Sequence, residues 1–276
     1  NNKKLIVENE EVIVNTDTLE QQPKQPKKFK IKKKKPIVDD ISDNKFTIVE
    51  TFVGCGGAHL GFKQNGFESL LVNDIDKNMI ATLLSNKCIT EDSAYTCPIE
   101  KLTNEIILNK IKDKKVDVLF GGIVCKGFSL AGVRNPFDSR NYLYKEQLRI
   151  VELLKPKVSI IENVVGFKNM FIYRKNNDTI KTFNDYSILS DLNKKINGEK
   201  SARRKDKKEY QDLNLKININ KKKMIELLKS IDKYKYNIFD EIIKLYEELG
   251  YKVYHKVLEA LKYNGYTHRK RLIIVA

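Results

Sequence analysis

Cysteine and histidine are scarce in this 276-residue sequence: four Cys (55, 88, 97 and 125) and three His. The cysteines show no pairing pattern, which argues against a disulfide framework and for reduced thiols in a cytoplasmic setting, or a nuclear one in a eukaryote. No His/Cys cluster has metal-ligand spacing, so no metal is expected. No apolar run is long enough to span a bilayer and no stretch reads as a secretory signal, so no membrane partner is expected. Acidic residues are the minority charge. The 36 Asp and Glu face 52 Lys and Arg, giving a net charge of +16 and a pI near 9.4. Such a surplus favours a polyanionic partner. Abundant Lys, Asn and Ile would also follow from an AT-rich coding bias, so charge alone supports nucleic acid only weakly. An apolar content of 41% is enough for one sizeable α/β core.

Four segments carry the chemistry. In Asp117-Val-Leu-Phe-Gly-Gly-Ile-Val-Cys-Lys-Gly-Phe-Ser129, an apolar run breaks at Gly121-Gly122 and is followed by Cys125. A thiol just past a strand end, on a glycine-permitted turn, is where an α/β enzyme presents a nucleophile. On this segment alone an inert, buried Cys is the commoner case. In Phe46–Gly61 a β-branched run ends in Gly54, Gly56 and Gly57, and a helical stretch follows. Glycines at such a turn let a ligand approach the backbone. The next strand, Leu70–Val72, leads to Asp74, about twenty positions on, the spacing of a carboxylate that holds a ribose hydroxyl. An exposed loop Asp is an equal alternative.

The third segment, Lys157–Gly166, is a β-branched strand that ends in Glu162-Asn163. A charge in an apolar frame is costly unless paired or used, and such a Glu can donate a proton. The fourth, Gly265–Ala276, holds Arg269 and Arg271 two apart, on one side of an extended backbone.

In this order, the segments resemble the DNA cytosine-5 methyltransferase family. Phe52-Val-Gly-Cys-Gly-Gly57 looks like its cofactor loop and Gly121–Ser129 like its nucleophile loop. Glu162-Asn163-Val164 matches its Glu-Asn-Val signature. Thr267-His-Arg-Lys-Arg271 lies where the family carries Gln-x-Arg-x-Arg, and Gly132–Leu143 looks like the loop after the nucleophile. The resemblance covers roughly 45–166 and 236–276. It departs at Ile123-Val124, where a proline usually precedes the Cys, at Lys126 in place of Gln, and at Thr267 in place of Gln.

The resemblance implies a doubly wound, largely parallel sheet with helices on both faces, the Rossmann-like fold of S-adenosylmethionine-dependent methyltransferases. It implies Cys125 as nucleophile, with Glu162, Arg269 and Arg271 as catalytic partners. Phe52, Gly54, Gly56, Gly57, Asp74 and Asp92 would bind S-adenosylmethionine. Lys126, Phe128, Ser129, Asn163 and Thr267 would meet the substrate, a cytosine flipped out of double-stranded DNA. Restriction-modification is one setting for such an enzyme. Two alternatives stand: a tRNA cytosine-5 methyltransferase, and a catalytically weak nucleic-acid-binding module of a split enzyme.

Residues 1–44 are polar, with a basic, proline-punctuated stretch, and are expected to be mostly disordered. Residues 45–276 are expected to form the catalytic domain, interrupted by a basic insertion at 167–235. That insertion reads as a tolerated, flexible segment, with a DNA-contacting flap as the alternative. A target-recognition domain and the segment that closes the cofactor pocket are not recognisable, so a recognition domain or subunit outside this chain is expected.

Overall fold

The computed structural model describes residues 6–7, 10–11, 45–123, 135–202 and 206–276. Contacts divide the chain into Asn1–Asp40 and Ile41–Ala276. In the first unit, Ile6–Val7 (β1) pairs antiparallel with Glu10–Glu11 (β2). The rest of the expected tail lies outside the described residues.

In the second unit, chain order alternates strand and helix. Thr47–Thr51 (β3), Gly57–Gln64 (α1), Glu68–Asp74 (β4), Lys77–Ser85 (α2), Ala94–Thr96 (β5), Asn104–Ile111 (α3) and Val118–Gly121 (β6) come first. Tyr144–Leu154 (α4) and Val158–Val164 (β7) follow. After Phe171–Tyr173 (β8), Ile180–Ala202 (α5), Lys207–Ser230 (α6) and Lys235–Asn237 (β9), the pattern resumes with Ile238–Glu248 (α7), Tyr254–Glu259 (β10) and Lys270–Val275 (β11).

Among the described residues, seven strands form one sheet in the order β10-β11-β7-β6-β3-β4-β5. β5, β4, β3, β6 and β7 run parallel, and β11 is antiparallel to both of its neighbours. The expected doubly wound, largely parallel sheet is thus present. From β3 the chain winds outward through β4 and β5, then crosses back to β6 on the other side. This reversal puts a topological switch point beside β3, and ligands of open α/β sheets bind at the carboxyl ends of the strands there.

The central strands are buried on both faces, as parallel strands between helices must be. Ile48, Val49, Leu71, Val72, Leu119 and Ile161 are each 0% exposed. The main core sets these strands against α3, α4 and α7 through Ile107, Ile150, Val151, Ile242 and Tyr246. Side-chain caps fix where helices begin. Asp76 accepts from Asn78 N at α2, Thr103 from Ile106 N at α3, and Asn237 from Phe239 N at α7. Gly250, at φ +87°, turns the chain after α7, and Tyr251 closes that turn on Tyr246 O. These residues are spent on the turn, so β10 starts only at Tyr254.

The insertion is regular. α5 and α6 pair along their length through Asn220 to Asn193 (2.9 Å) and Lys200 to Asn214 (2.7 Å). β8 and β9 pair antiparallel at its base. An aromatic cluster of Phe137, Tyr173, Phe183 and Tyr186 with Met224 and Ile231 forms its core. The basic composition concealed this, because the buried positions are few and separated by long polar runs.

Candidate active site

Parallel register sets the strand ends side by side. Thr51 lies opposite both Asn73 and Gly121, and Gly121 opposite Ile161. One residue further on, Asp74, Phe52, Gly122 and Glu162 therefore form a row across the carboxyl edge. At about 4.8 Å per strand, the acid at one end lies about 14 Å from the acid at the other.

At the β4 end, Gly54 N donates to Asp74 Oδ2 (2.8 Å) and Asp76 N to Asp74 Oδ1 (2.9 Å). Each carboxylate oxygen keeps lone-pair capacity beyond one backbone donor. The turn is left-handed at Phe52 (φ 53°), Gly54 (φ 56°) and Gly56 (φ 84°). An aromatic residue at positive φ is uncommon, and such strain gathers at functional sites. A Cβ on Gly54 would meet nothing within 4 Å, whereas one on Gly56 would lie 2.2 Å from Leu83 Cδ2. Gly56 is thus demanded by packing, and Gly54 opens onto a cradle. α1 begins at Gly57 with no side-chain cap and no acidic residue in its first turn, so its amino end suits an anion. Beside Asp74, Ile75 is an apolar side chain left 67% exposed.

Beneath this turn lies a buried Glu–His pair that sequence reasoning did not single out. Glu50 (0% exposed) meets His59 Nδ1 at 2.6 Å and accepts from Ser69 Oγ at 3.1 Å. His59 Nε2 reaches Cys88 O at 3.1 Å. The hydrogen bond to Glu50 raises the His59 pKa against the opposing effect of burial. The pair fastens α1 to β3 and β4.

At the β6 and β7 end, Arg271 Nε pairs with Glu162 at 2.8 Å. Arg271 lies opposite Val164 in the antiparallel ladder, a diagonal neighbour of Glu162 on the same face. Asn163 is buried; its Nδ2 donates to Ile123 O (3.4 Å) and its Oδ1 accepts from Val164 N (2.7 Å). It thereby ties the end of β7 to Ile123, two residues past β6. Gly121 is needed because a Cβ there would lie 2.6 Å from Gln147 Oε1, and that oxygen accepts from Thr51 Oγ1 at 2.6 Å. Thr51 and Gln147 form a buried polar layer under the site. No spacing rule reveals it, because its members lie 96 residues apart.

Cys125, Lys126, Phe128 and Ser129 lie outside the described residues. Thr267 and Arg269 are exposed just ahead of β11. Asp92 precedes β5 by two residues, whereas Thr96 at the other end of that strand pairs with Asp74. Asp92 therefore sits toward the amino edge, exposed and paired with Lys110. Among the described residues, no group of three His, Cys, Asp or Glu could hold a metal ion, and no helix is long and apolar enough to cross a membrane.

A seven-stranded, mostly parallel sheet with a glycine turn braced by an acid at the switch point defines a Rossmann-like methyltransferase fold. A DNA modification methyltransferase encoded within an Escherichia coli prophage shares it, with a TM-score of 0.50 and 20% identity over 84% of this chain and 46% of that one. Residues 46–215 and 226–276 match the C-5 cytosine-specific DNA methylase family, and the chain belongs to that family. Among curated proteins it is similar to the type II methyltransferases M1.HphI of Haemophilus parahaemolyticus and M.Sau96I of Staphylococcus aureus. It is 37% identical to the first over 43% of this chain and 32% of that protein. It is 38% identical to the second over 48% of this chain and 30% of that protein. The chain thus spans about a third of the length of these relatives. The family's methyl donor is S-adenosylmethionine. The open cradle at Gly54, the Asp74 carboxylate and the uncapped end of α1 fit it.

Proposed function

We propose that the protein transfers a methyl group from S-adenosylmethionine to C5 of cytosine in double-stranded DNA. The observation that carries this reading is the row of strand ends. It sets an acid-braced glycine cradle and a Glu162–Arg271 pair at opposite ends of one edge, in a chain of the cytosine-5 methylase family. Names of type II methyltransferases among the relatives favour a restriction-modification setting.

In this reading Asp74 accepts from the ribose hydroxyls and Ile75 lies along the adenine. The amino end of α1 faces the carboxylate of the methionine portion. When bound, the donor supplies an electrophilic methyl on a sulfonium. Cys125, as thiolate, adds to C6 of the flipped cytosine and forms an S–C6 bond. The displaced electron pair makes C5 nucleophilic. Glu162 holds N3 and the exocyclic amine while charge builds in the ring, and Arg271 holds both Glu162 and the O2 side. C5 takes the methyl, a base removes the C5 proton, and the S–C6 bond breaks as the C5–C6 double bond re-forms. Arg269 and Thr267 approach the substrate from the loop before β11. Lys126, Phe128 and Ser129 accompany Cys125 against the nucleotide or its phosphate.

The test is transfer of labelled methyl to duplex DNA and to tRNA, with covalent trapping on 5-fluorocytosine DNA, because fluorine at C5 blocks the final elimination. Trapping should vanish in Cys125→Ser and persist in Cys55→Ser, Cys55 being an exposed thiol in the cofactor turn. Transfer to tRNA with none to DNA would replace this reading with RNA methylation.

A further inference from the structure

The net charge of the chain is unevenly placed. Residues 167–235 carry nineteen Lys and Arg against nine Asp and Glu, a net +10 of the chain's +16. Residues 45–166 and 236–276 together carry only twenty-three against nineteen, although they are more than twice as long. A coding bias toward lysine would raise charge throughout and does not account for this segregation. On α5 and α6 most of the charge is free. Lys207, Lys208, Lys216, Lys221, Lys222 and Lys223 are exposed, and none has an acidic partner in salt-bridge range among the described residues. Lysines left unpaired on a rigid helix suit a chain of phosphates, which they meet as point charges without needing base edges.

The hairpin is also rooted at the active edge. β8 starts seven residues after β7 ends beyond Glu162-Asn163. Asn237 Nδ2 donates to Lys168 O (2.9 Å), and Ile238 N to Met170 O (3.0 Å). The hairpin's aromatic core takes in Phe137, three positions beyond the stretch that contains Cys125. The Phe137 ring lies 3.9 Å from that of Phe183 and 4.9 Å, edge-on, from that of Tyr186. Tyr142 Oη donates to Tyr173 O at 2.6 Å. The exit of the nucleophile loop is therefore packed onto the base of the charged hairpin.

We propose that the α5–α6 hairpin is a sequence-independent contact for the DNA phosphate backbone, built onto the exit of the Cys125 loop. The proposal rests on the reading of DNA as substrate. Its test is the salt dependence of duplex binding by the intact protein, compared among three variants. Lys221→Gln/Lys222→Gln/Lys223→Gln removes three charges from α6, and Gln keeps nearly the helix propensity of Lys. Lys112→Gln/Lys115→Gln/Lys155→Gln removes three charges from the amino edge of the sheet. Lys207→Gln/Lys208→Gln/Lys216→Gln probes the hairpin a second time, should the first variant fold poorly.

Each lost phosphate contact flattens the slope of log affinity against log salt by about 0.9. Both hairpin variants should lower it by about one to three, with methyl transfer retained at saturating DNA, and the amino-edge variant should leave it unchanged. An unchanged slope in the hairpin variants, or an equal fall in the amino-edge variant, would overturn the proposal. Wild-type protein that methylates RNA and does not bind DNA would remove the functional reading, and the proposal with it.

Discussion

Two alanines, placed two residues apart in one turn, should have opposite effects. In Gly56→Ala the new Cβ would stand 2.2 Å from Leu83 Cδ2 and 3.3 Å from Leu83 Cγ. Leu83 is 1% exposed and packed among Val53, Val72, Ile80 and Ile89, so it has little room to yield. Left-handed backbone costs a non-glycine residue about 1–2 kcal/mol, and overpacking adds about 1–3 kcal/mol. The expected loss of stability is about 2–5 kcal/mol, a large part of a typical domain's total. Gly54→Ala shares the left-handed penalty, but its Cβ meets no atom within 4 Å. Its cost to folding should stay near 1–2 kcal/mol, while its methyl group stands in the space assigned to S-adenosylmethionine. Urea unfolding should therefore separate the variants in one direction and calorimetry with S-adenosylmethionine in the other. Leu83→Ala should relieve part of the Gly56→Ala loss, so the double variant should be more stable than the sum of the singles implies. Unchanged cofactor affinity in Gly54→Ala would refute the cradle.

Asp74→Ala should weaken binding of S-adenosylmethionine by about 1–3 kcal/mol, the cost of leaving buried polar groups unpaired, and calorimetry showing equal affinity would remove the ribose role. Glu162→Gln should bind DNA and cofactor but lose most of the transfer rate in single-turnover assays, because an amide supplies neither the charge nor the proton. A near-normal rate would displace Glu162 from the mechanism. His59→Leu should destabilise by about 3–5 kcal/mol in urea unfolding, since it leaves the buried Glu50 carboxyl without its main partner. Because the folded pKa of His59 is raised, its contribution is complete below the ordinary imidazole value of about 6.5 and is lost as pH rises through the raised value. Wild-type stability should fall with pH over that interval more steeply than that of His59→Gln, and parallel curves would refute the linkage.

The parallel core was legible because its strands are apolar or β-branched runs that each end in glycines or polar pairs: Thr47–Thr51 before Gly54, Val118–Gly121 before Gly122, Val158–Val164 around Glu162-Asn163. What stayed hidden depends on long-range contact. Glu50 reads as one acid in an apolar strand, and only the fold brings His59 and Ser69 to it. Gln147 looks like a polar position on α4 until Gly121 and Thr51 close over it. The place of Asp92 ahead of β5 was also hidden, because sequence distance does not tell at which end of a short strand an acid will lie. The α5–α6 hairpin escaped because its composition is that of a solvated linker, while a few buried positions such as Ile196, Leu213, Ile217 and Asn220 hold it together.

In the row Asp74–Phe52–Gly122–Glu162, the half-buried Phe52 ring and the bare Gly122 lie between the two acids. A Cβ at Gly121 would strike Gln147, and one at Gly122 would come within 3.3 Å of Phe52 O. Gly121 thus lets α4 close on the end of β6, and Gly122 lets the chain leave β6 beside the Phe52 carbonyl. Gly122 leaves a low step next to Glu162, and the two acids are held by different means: Asp74 by backbone N–H groups, Glu162 by a guanidinium. A donor seated at one end and a base seated at the other would approach each other past that step. A side chain introduced at Gly122 should therefore slow methyl transfer more than it weakens the binding of either ligand alone.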